Sequence, residues 1–115
     1  MFGAGDGNSA NYLWDGHRVR AVDFEESGRS DRAYELAEIV EHVSARGPCP
    51  FDTAALLRLF PLTPAEATRL RDCRTLLALV WLFLLAHDDP AHPRNPPGTP
   101  ERQARRLRRR LDGTA

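Results

Sequence analysis

The sequence predicts an α+β fold that is mostly helical, with an N-terminal β-hairpin followed by four helices. Two observations carry this prediction. The dipeptide Asp15-Gly16 lies between two apolar-containing runs, a strong signal for a hairpin turn. Beyond it, apolar residues recur at helical spacing in segments that open with capping residues. At 115 residues, the chain is long enough for one domain with a modest core.

The hairpin is predicted to join a strand at residues 12–14 to a strand at residues 19–24. Its turn is predicted to be of type I′ and centred on Asp15-Gly16, because that turn needs positive φ at both central residues. The glycine-rich residues 3–7 precede the hairpin and do not follow a strand, so a dinucleotide-binding loop is disfavoured. These glycines are expected to let the backbone bend tightly around Asp6.

Three oxygen-bearing side chains are expected to meet at the open end of the hairpin. Asp6 and Asn11 precede the first strand, and Asp23 lies at the end of the second. A hairpin brings its two outer ends together, so residues distant in sequence become neighbours. A few protein oxygens, with room left for substrate phosphates, suit a hard cation such as Mg²⁺.

Two helices are predicted in the middle of the chain. Ser30 is a plausible N-cap for a helix over about residues 31–46, which Gly47-Pro48 ends. Asp52 is expected to cap a short helix that continues through Phe60. The apolar positions of the first helix follow the 3-4 spacing of one buried face: Ala33, Leu36, Ala37, Val40 and Val43.

The longest helix is predicted over roughly residues 64–87. The run Thr63-Pro64-Ala65-Glu66 is a capping box with proline at the first helical position. Residues 76–86 are apolar on every side, but a bilayer span needs about 20 residues. A helix of this kind is expected to lie in the centre of a core.

Five prolines make residues 88–100 a surface connection, and Thr99-Pro100 starts a last helix that Gly113 ends. One stripe of this helix holds Ala104, Leu107 and Leu111. We expect one partial domain composed of four segments: loops and hairpin at 1–29, a helical core at 30–87, the proline-rich connection at 88–100, and the arginine-rich helix at 101–115.

Charge and composition exclude several chemistries. The formal net charge is zero and all 16 basic residues are arginine, so no lysine exists for a Walker motif or a Schiff base. Two cysteines do not make a disulfide framework, and we expect both to be reduced. The N-terminus lacks the regions of a secretory signal, which predicts a cytoplasmic protein without membrane association.

Other candidate sites are disfavoured. His87 and His92 lie near two aspartates, but Pro90 breaks the helix that would align them, so a solvated polar turn is expected. No Ser or Cys has a His in a recognisable nucleophile motif. Residues 101–115 hold six Arg against two acids, yet they contain no aromatic residue for base stacking, so nucleic acid is not an expected partner.

The run Asp6-x-x-x-x-Asn11, a hairpin, and Asp23-Phe24-Glu25 together resemble the catalytic and metal-binding loops of the aminoglycoside phosphotransferase family. Residues 28–37, which contain Asp-Arg and Glu-Leu-Ala elements, are similar to the segment that follows the metal loop in that family. The family usually has a histidine at the position of Ala4, and the chain begins at the catalytic loop.

This resemblance implies the C-terminal lobe of a kinase-like fold and transfer of the γ-phosphoryl group of ATP or GTP to a hydroxyl of a small-molecule alcohol or amino sugar. It makes Asp6 the catalytic base or the orienting group for that hydroxyl, and Asn11 and Asp23 the ligands of Mg²⁺. With no nucleotide-binding lobe, we expect this chain alone to be inactive and to self-associate or remain loosely packed. The alternative is a non-catalytic helical interaction module derived from that lobe.

Overall fold

The computed structural model describes residues 1–114 and confirms the mostly helical α+β fold. The chain divides into two compact units, Met1–Arg74 and the part from Thr75 onward, and the longest helix runs from the first into the second. The strands are β1 (Phe2–Gly3), β2 (Tyr12–Trp14), β3 (Val19–Ala21) and β4 (Gly28–Arg29). The helices are α1 (Arg32–Glu41), α2 (Thr53–Arg58), α3 (Pro64–Ala86) and α4 (Thr99–Leu111), and 3-10 turns lie at Ser9–Asn11 and Val43–Arg46.

The hairpin pairs β2 with β3 in antiparallel register, with Trp14 opposite Val19. Its turn is one residue further along than predicted. The N–H of Asp15 donates to the carbonyl of Arg18 at 3.3 Å, which leaves Gly16-His17 as the two-residue loop. Only the glycine of this loop has a positive φ, of 97°, so the predicted type I′ turn is wrong and the glycine position is that of a type II′ turn. The second strand also ends earlier than predicted, at Ala21.

A second strand pair, which the sequence did not predict, ties the N-terminus to the segment before α1. Phe2 pairs with Arg29 in the antiparallel β1–β4 ladder, and Ser30 donates its N–H to the carbonyl of Met1 at 2.9 Å. This pairing fixes both ends of the segment that contains the glycine-rich loop and the hairpin. Asp6 is thereby held beside α1.

α1 provides the core of the first unit. Its N-cap is Asp31, which accepts the N–H of Tyr34 at 3.0 Å, so the prediction of Ser30 as the cap is wrong. The helix ends at Glu41 rather than near residue 46, and a 3-10 turn follows. The buried apolar residues of this unit include most of the predicted face: Ala33, Leu36, Ala37, Val40, Ala45, Leu70 and Cys73.

The end of α1 contains a buried ion pair. Glu41 is fully buried, and its carboxylate accepts a 2.7 Å hydrogen bond from Nε of Arg74. The guanidinium of Arg46 donates to the carbonyls of Val40 and Glu41 at 3.0 and 2.8 Å. These bonds satisfy carbonyls that the end of a helix leaves without intrahelical partners.

The start of α3 forms as predicted. The hydroxyl of Thr63 accepts the N–H of Glu66 at 3.2 Å, and the Glu66 carboxylate accepts the N–H of Thr63 at 2.8 Å, which completes the capping box. Hydrogen bonds from Arg32 and then from Thr63 lower the pKa of Glu66 to about 2. Asp52 caps α2 as predicted, but that helix ends at Arg58, and Phe60 is 37% exposed.

In the second unit, α3 is buried on one side only. Leu77, Ala78 and Leu85 are buried, and Gln103 of α4 donates from Nε2 to the carbonyl of Ala78 at 2.8 Å. The predicted burial on all sides is wrong, because the opposite side of the helix is exposed. The exposed large residues of that side are Leu76, Leu79, Val80, Phe83 and Leu84, with exposed fractions from 37% to 58%.

α4 buries Leu107 but not the rest of its predicted stripe, since Ala104 and Leu111 are exposed. Residues 88–98 contain no helix or strand, which agrees with the proline-rich connection. Both cysteines are free, with Cys73 buried and Cys49 exposed. Within the described residues, every helix is too short or too polar to cross a membrane.

Candidate functional site

The loop that carries Asp6 is held by hydrogen bonds to its own side chains. Oδ1 of Asp6 accepts the backbone N–H of Asn8 at 2.9 Å, and Oδ2 accepts Nδ2 of Asn11 at 2.9 Å. Gly5 immediately before it has a φ of 70°, a conformation that favours glycine. The structure therefore brings Asp6 and Asn11 into direct contact.

The same contact orients the amide of Asn11. A carboxylate only accepts hydrogen bonds, so the amide nitrogen is the atom that faces Asp6, and the amide oxygen is left for another partner. The backbone carbonyl of Asn11 accepts the N–H of Val22 at 2.9 Å, which closes the open end of the hairpin. Asn11 is thus held at both its side chain and its main chain.

Asp23 comes directly after Val22, the donor of this closing bond, and is exposed. Its φ is 64°, and among the described non-glycine residues it alone has a positive φ. Such a conformation costs free energy and persists where the surrounding structure imposes it. The structure therefore places Asp23 at the open end of the hairpin, beside the segment that contains Asn11, with its side chain facing solvent.

The Asp6 loop lies very close to α1, and glycine makes this approach possible. A Cβ at Gly7 would collide with the backbone carbonyl of Glu38, and a Cβ at Gly3 would collide with the carboxylate of Glu35. Oε2 of Glu35 accepts the N–H of Gly5 at 3.2 Å. Oε1 of the same carboxylate is buried and accepts no hydrogen bond from the described residues.

Glu35 and Glu38, on the polar side of α1, thus lie against the loop that carries Asp6. Burial raises the pKa of Glu38, and the negative charges of Asp6 and Glu35 raise it further, while a hydrogen bond from the Tyr34 hydroxyl at 2.8 Å opposes this. Burial, followed by the contact with Glu38, raises the pKa of Tyr34 to about 12. The carboxyl groups of Asp6, Glu35 and Glu38 therefore lie close enough to interact electrostatically.

The structure adds two residues that the sequence did not single out for this site. Nε2 of His42 lies 3.8 Å from Oδ1 of Asp6, and Nδ1 of His42 lies 2.8 Å from the hydroxyl of Ser44. His42 and Ser44 are therefore in contact with each other, and His42 lies beside Asp6. A His-x-Ser sequence at the end of a helix was the available signal, because such residues cap the turn that follows.

The remaining candidates do not gather into a site. His87 and His92 lie on an exposed turn, as predicted, where His92 contacts Asp89 at 3.1 Å and His87 contacts the carbonyl of Phe83 in α3 at 2.8 Å. Among residues 1–114, no three or more His, Cys, Asp and Glu side chains are placed to hold a metal ion. The oxygens of Asn11 and Asp23, together with the nearby Asp6, are of the type that Mg²⁺ prefers.

Comparison with known proteins found no matching family model, no matching curated protein and no matching solved structure.

Proposed function

We propose that this chain carries the catalytic and metal-binding loops of a small-molecule phosphotransferase, which transfers the γ-phosphoryl group of ATP or GTP to a hydroxyl. The observation that carries the proposal is the 2.9 Å hydrogen bond between Asp6 and Asn11 at the open end of the hairpin, where Asp23 follows. A carboxylate, an amide and a second carboxylate are the side chains that this chemistry uses.

Asp6 is the proposed base for the acceptor hydroxyl. Phosphoryl transfer depends mainly on positioning and on stabilising charge, so a base must be held in a fixed orientation. The bonds from Asn8 and Asn11 hold both carboxylate oxygens of Asp6. Each oxygen has lone pairs left for one further hydrogen bond from a substrate hydroxyl. The acceptor we propose is a small-molecule alcohol or amino sugar.

Asn11 and Asp23 are the proposed protein ligands of Mg²⁺, which would neutralise charge on the nucleotide phosphates when bound. The amide oxygen of Asn11 adds a ligand without adding charge, and the carboxylate of Asp23 supplies the negative charge. The positive φ of Asp23 is a conformational cost at a position where such a ligand is needed. Two free cysteines suit a reducing compartment, and we place the reaction in the cytoplasm.

Replacing Asp23 with asparagine is expected to weaken Mn²⁺ binding at least about tenfold, because the site loses its charged ligand. Paramagnetic broadening of backbone amide signals during titration with MnCl₂, alone and with ATP, measures this affinity. In the wild-type chain we expect the signals of Asp6, Asn11 and Asp23 to broaden first.

Asp72→Asn is the matched control for this titration. Asp72 is an exposed aspartate of α3, and the same charge is lost without affecting the loop. It is expected to leave the Mn²⁺ affinity unchanged. If the amide signals of the Asp23→Asn variant broaden at the same Mn²⁺ concentration as those of the wild-type chain, Asp23 is not a ligand and the proposed metal site is wrong.

A second candidate function is a non-catalytic interaction module, and the exposed apolar side chains of the hairpin favour it. Leu13, Trp14 and Val19 are 50%, 66% and 60% exposed, although strands usually bury one face. Trp14 and Val19 are cross-strand partners on one face of the hairpin, and exposed apolar pairs of this kind are candidate interaction surfaces. The interaction we propose is self-association, which does not depend on the phosphotransferase chemistry.

We expect the purified chain to self-associate through this hairpin, and Trp14→Ser to weaken the association about tenfold or more. A large side chain re-buried in a dimer contributes about 1.5–3 kcal/mol before the ordering costs of association. Sedimentation velocity over a range of concentrations measures the effect, with His17→Ser, a polar change in the same hairpin, as the control. A compact monomer that binds no dye for apolar surface would contradict this candidate.

A further inference from the structure

His42 connects two parts of the chain that are far apart in sequence. It follows the last residue of α1, and its side chain is 12% exposed. One edge of the ring, at Nε2, faces Oδ1 of Asp6 at 3.8 Å. The other edge, at Nδ1, lies 3.1 Å from the backbone nitrogen of Ser44 and 2.8 Å from its hydroxyl.

These contacts decide where the ring proton lies in the neutral histidine. A backbone N–H can only donate, so Nδ1 accepts from Ser44 and carries no proton. The proton of the neutral ring is then on Nε2, the atom that faces Asp6. Assignment of the tautomer from the hydrogen-bond network is the ordinary procedure where hydrogens are not observed.

The hydroxyl of Ser44 extends this arrangement toward the Asp6 loop. Its oxygen accepts the backbone N–H of Ser9 at 2.9 Å, which leaves its hydrogen for Nδ1 of His42. Ser9 therefore donates to Ser44, Ser44 donates to His42, and the N–H of His42 faces the carboxylate of Asp6. Hydrogen bonds aligned in one direction polarise one another.

We propose that His42 is a positioning residue for Asp6, and that Ser44 fixes the ring so that its Nε2–H is directed at the carboxylate. This inference rests on the proposed role of Asp6 in phosphoryl transfer. At 3.8 Å the N–H is beyond direct hydrogen-bond distance, so its action is electrostatic or passes through one water molecule. It favours one orientation of the carboxylate, in which Oδ1 faces His42 and Oδ2 faces Asn11.

The surroundings keep the ring in the neutral form that this arrangement needs. Burial lowers the pKa of His42 below its ordinary value, the charge of Asp6 opposes this, and the charge of Arg46 lowers the pKa further. The ring is therefore neutral at pH 7.5, well above its pKa. A protonated ring would carry hydrogen on Nδ1, where the N–H of Ser44 already points.

A purely structural role for His42 would need only Nδ1, which caps the 3-10 turn of residues 43–46. His42→Asn separates the two roles, because asparagine is a good N-cap and presents no atom in place of Nε2. We expect this variant to keep its melting temperature within about 4 °C of the wild-type value. We also expect it to shift the side-chain carboxyl ¹³C signal of Asp6.

The decisive measurement is NMR of the full chain at pH 7.5, with ¹⁵N shifts of the His42 ring and the ¹³C shift of Asp6. The wild-type ring is expected to show the pattern of a proton on Nε2, and Asp6→Asn to shift the Nε2 signal while Nδ1 remains unprotonated. Ser44→Ala is expected to leave the proton on Nε2, because the backbone N–H of residue 44 still donates to Nδ1.

Two results would overturn the inference: a wild-type ring with its proton on Nδ1, or an Asp6 signal that does not change in His42→Asn. If that variant does not fold, the response of Nε2 to Asp6→Asn decides, and no shift there rejects the inference. None of these signals depends on metal or nucleotide. A failed Mn²⁺ titration with Asp23→Asn would therefore reject the proposed function and leave the His42–Asp6 coupling standing.

Discussion

Replacing Arg74 with alanine is expected to destabilise the first unit by about 3 kcal/mol, because it removes an arginine that donates to a buried carboxylate. Glu41 is fully buried, and Nε of Arg74 donates to it at 2.7 Å. A buried charge that loses its partner retains its cost of desolvation and loses the compensating attraction. Urea unfolding followed by circular dichroism measures the change in the free energy of unfolding.

Arg58→Ala is the matched control for this measurement. Arg58 is exposed and lies 4.0 Å from the exposed Asp52, a pair of the kind that contributes less than about 1 kcal/mol. A loss in Arg74→Ala no larger than the loss in Arg58→Ala would show that Glu41 does not depend on this ion pair. Replacing both Glu41 and Arg74 with apolar residues is expected to recover part of the loss, since no charge then remains buried.

Gly7→Ala is expected to destabilise the chain by about 2–3 kcal/mol and to weaken Mn²⁺ binding, because the new methyl group displaces the loop that carries Asp6. The methyl carbon would collide with the carbonyl oxygen of Glu38 and approach the nitrogen of Ile39. Both atoms belong to the backbone of α1 and cannot move aside as a flexible side chain does. The loop must therefore move away from the helix, which disturbs the contact between Asp6 and His42.

Gly28→Ala separates this collision from the general effect of replacing glycine. A Cβ at Gly28 would meet no atom within 4 Å, and alanine there reduces the entropy of the unfolded chain. This control is expected to keep or slightly raise the melting temperature and to leave Mn²⁺ binding unchanged. Equal melting temperatures for Gly7→Ala and Gly28→Ala would contradict the close approach of the loop to α1.

Elements that depend on neighbouring residues in sequence were predictable from the sequence. The capping box of Thr63 and Glu66 forms, Asp52 caps its helix, and the last helix begins at Thr99. Each signal acts over three or four residues, so the sequence contains all the partners that it needs. The pairing of the two hairpin strands also depends on residues close in sequence, although the two-residue loop lies one residue later than predicted.

The candidate site was only partly predictable. The convergence of Asp6 and Asn11 follows from their positions before one strand, and their hydrogen bond is present. His42 was not predicted, because its approach to Asp6 depends on how the N-terminal loop lies over α1. The β1–β4 pairing that holds the loop involves two residues on each side, too few for a recognisable strand pattern.

The sequence by itself thus determined where helices and the hairpin form, because capping and periodicity are properties of adjacent residues. The apolar spacing of α1 predicted most of its buried face, whereas the tertiary structure alone decided which side of α3 is covered. The apolar run of α3 did not predict which side is buried, since every side of it is apolar. In the structure, Leu76 and Phe83 on its outer side are exposed. At the end of α1, packing rather than composition buried Glu41, because only the folded chain brings Arg74 within reach of its carboxylate.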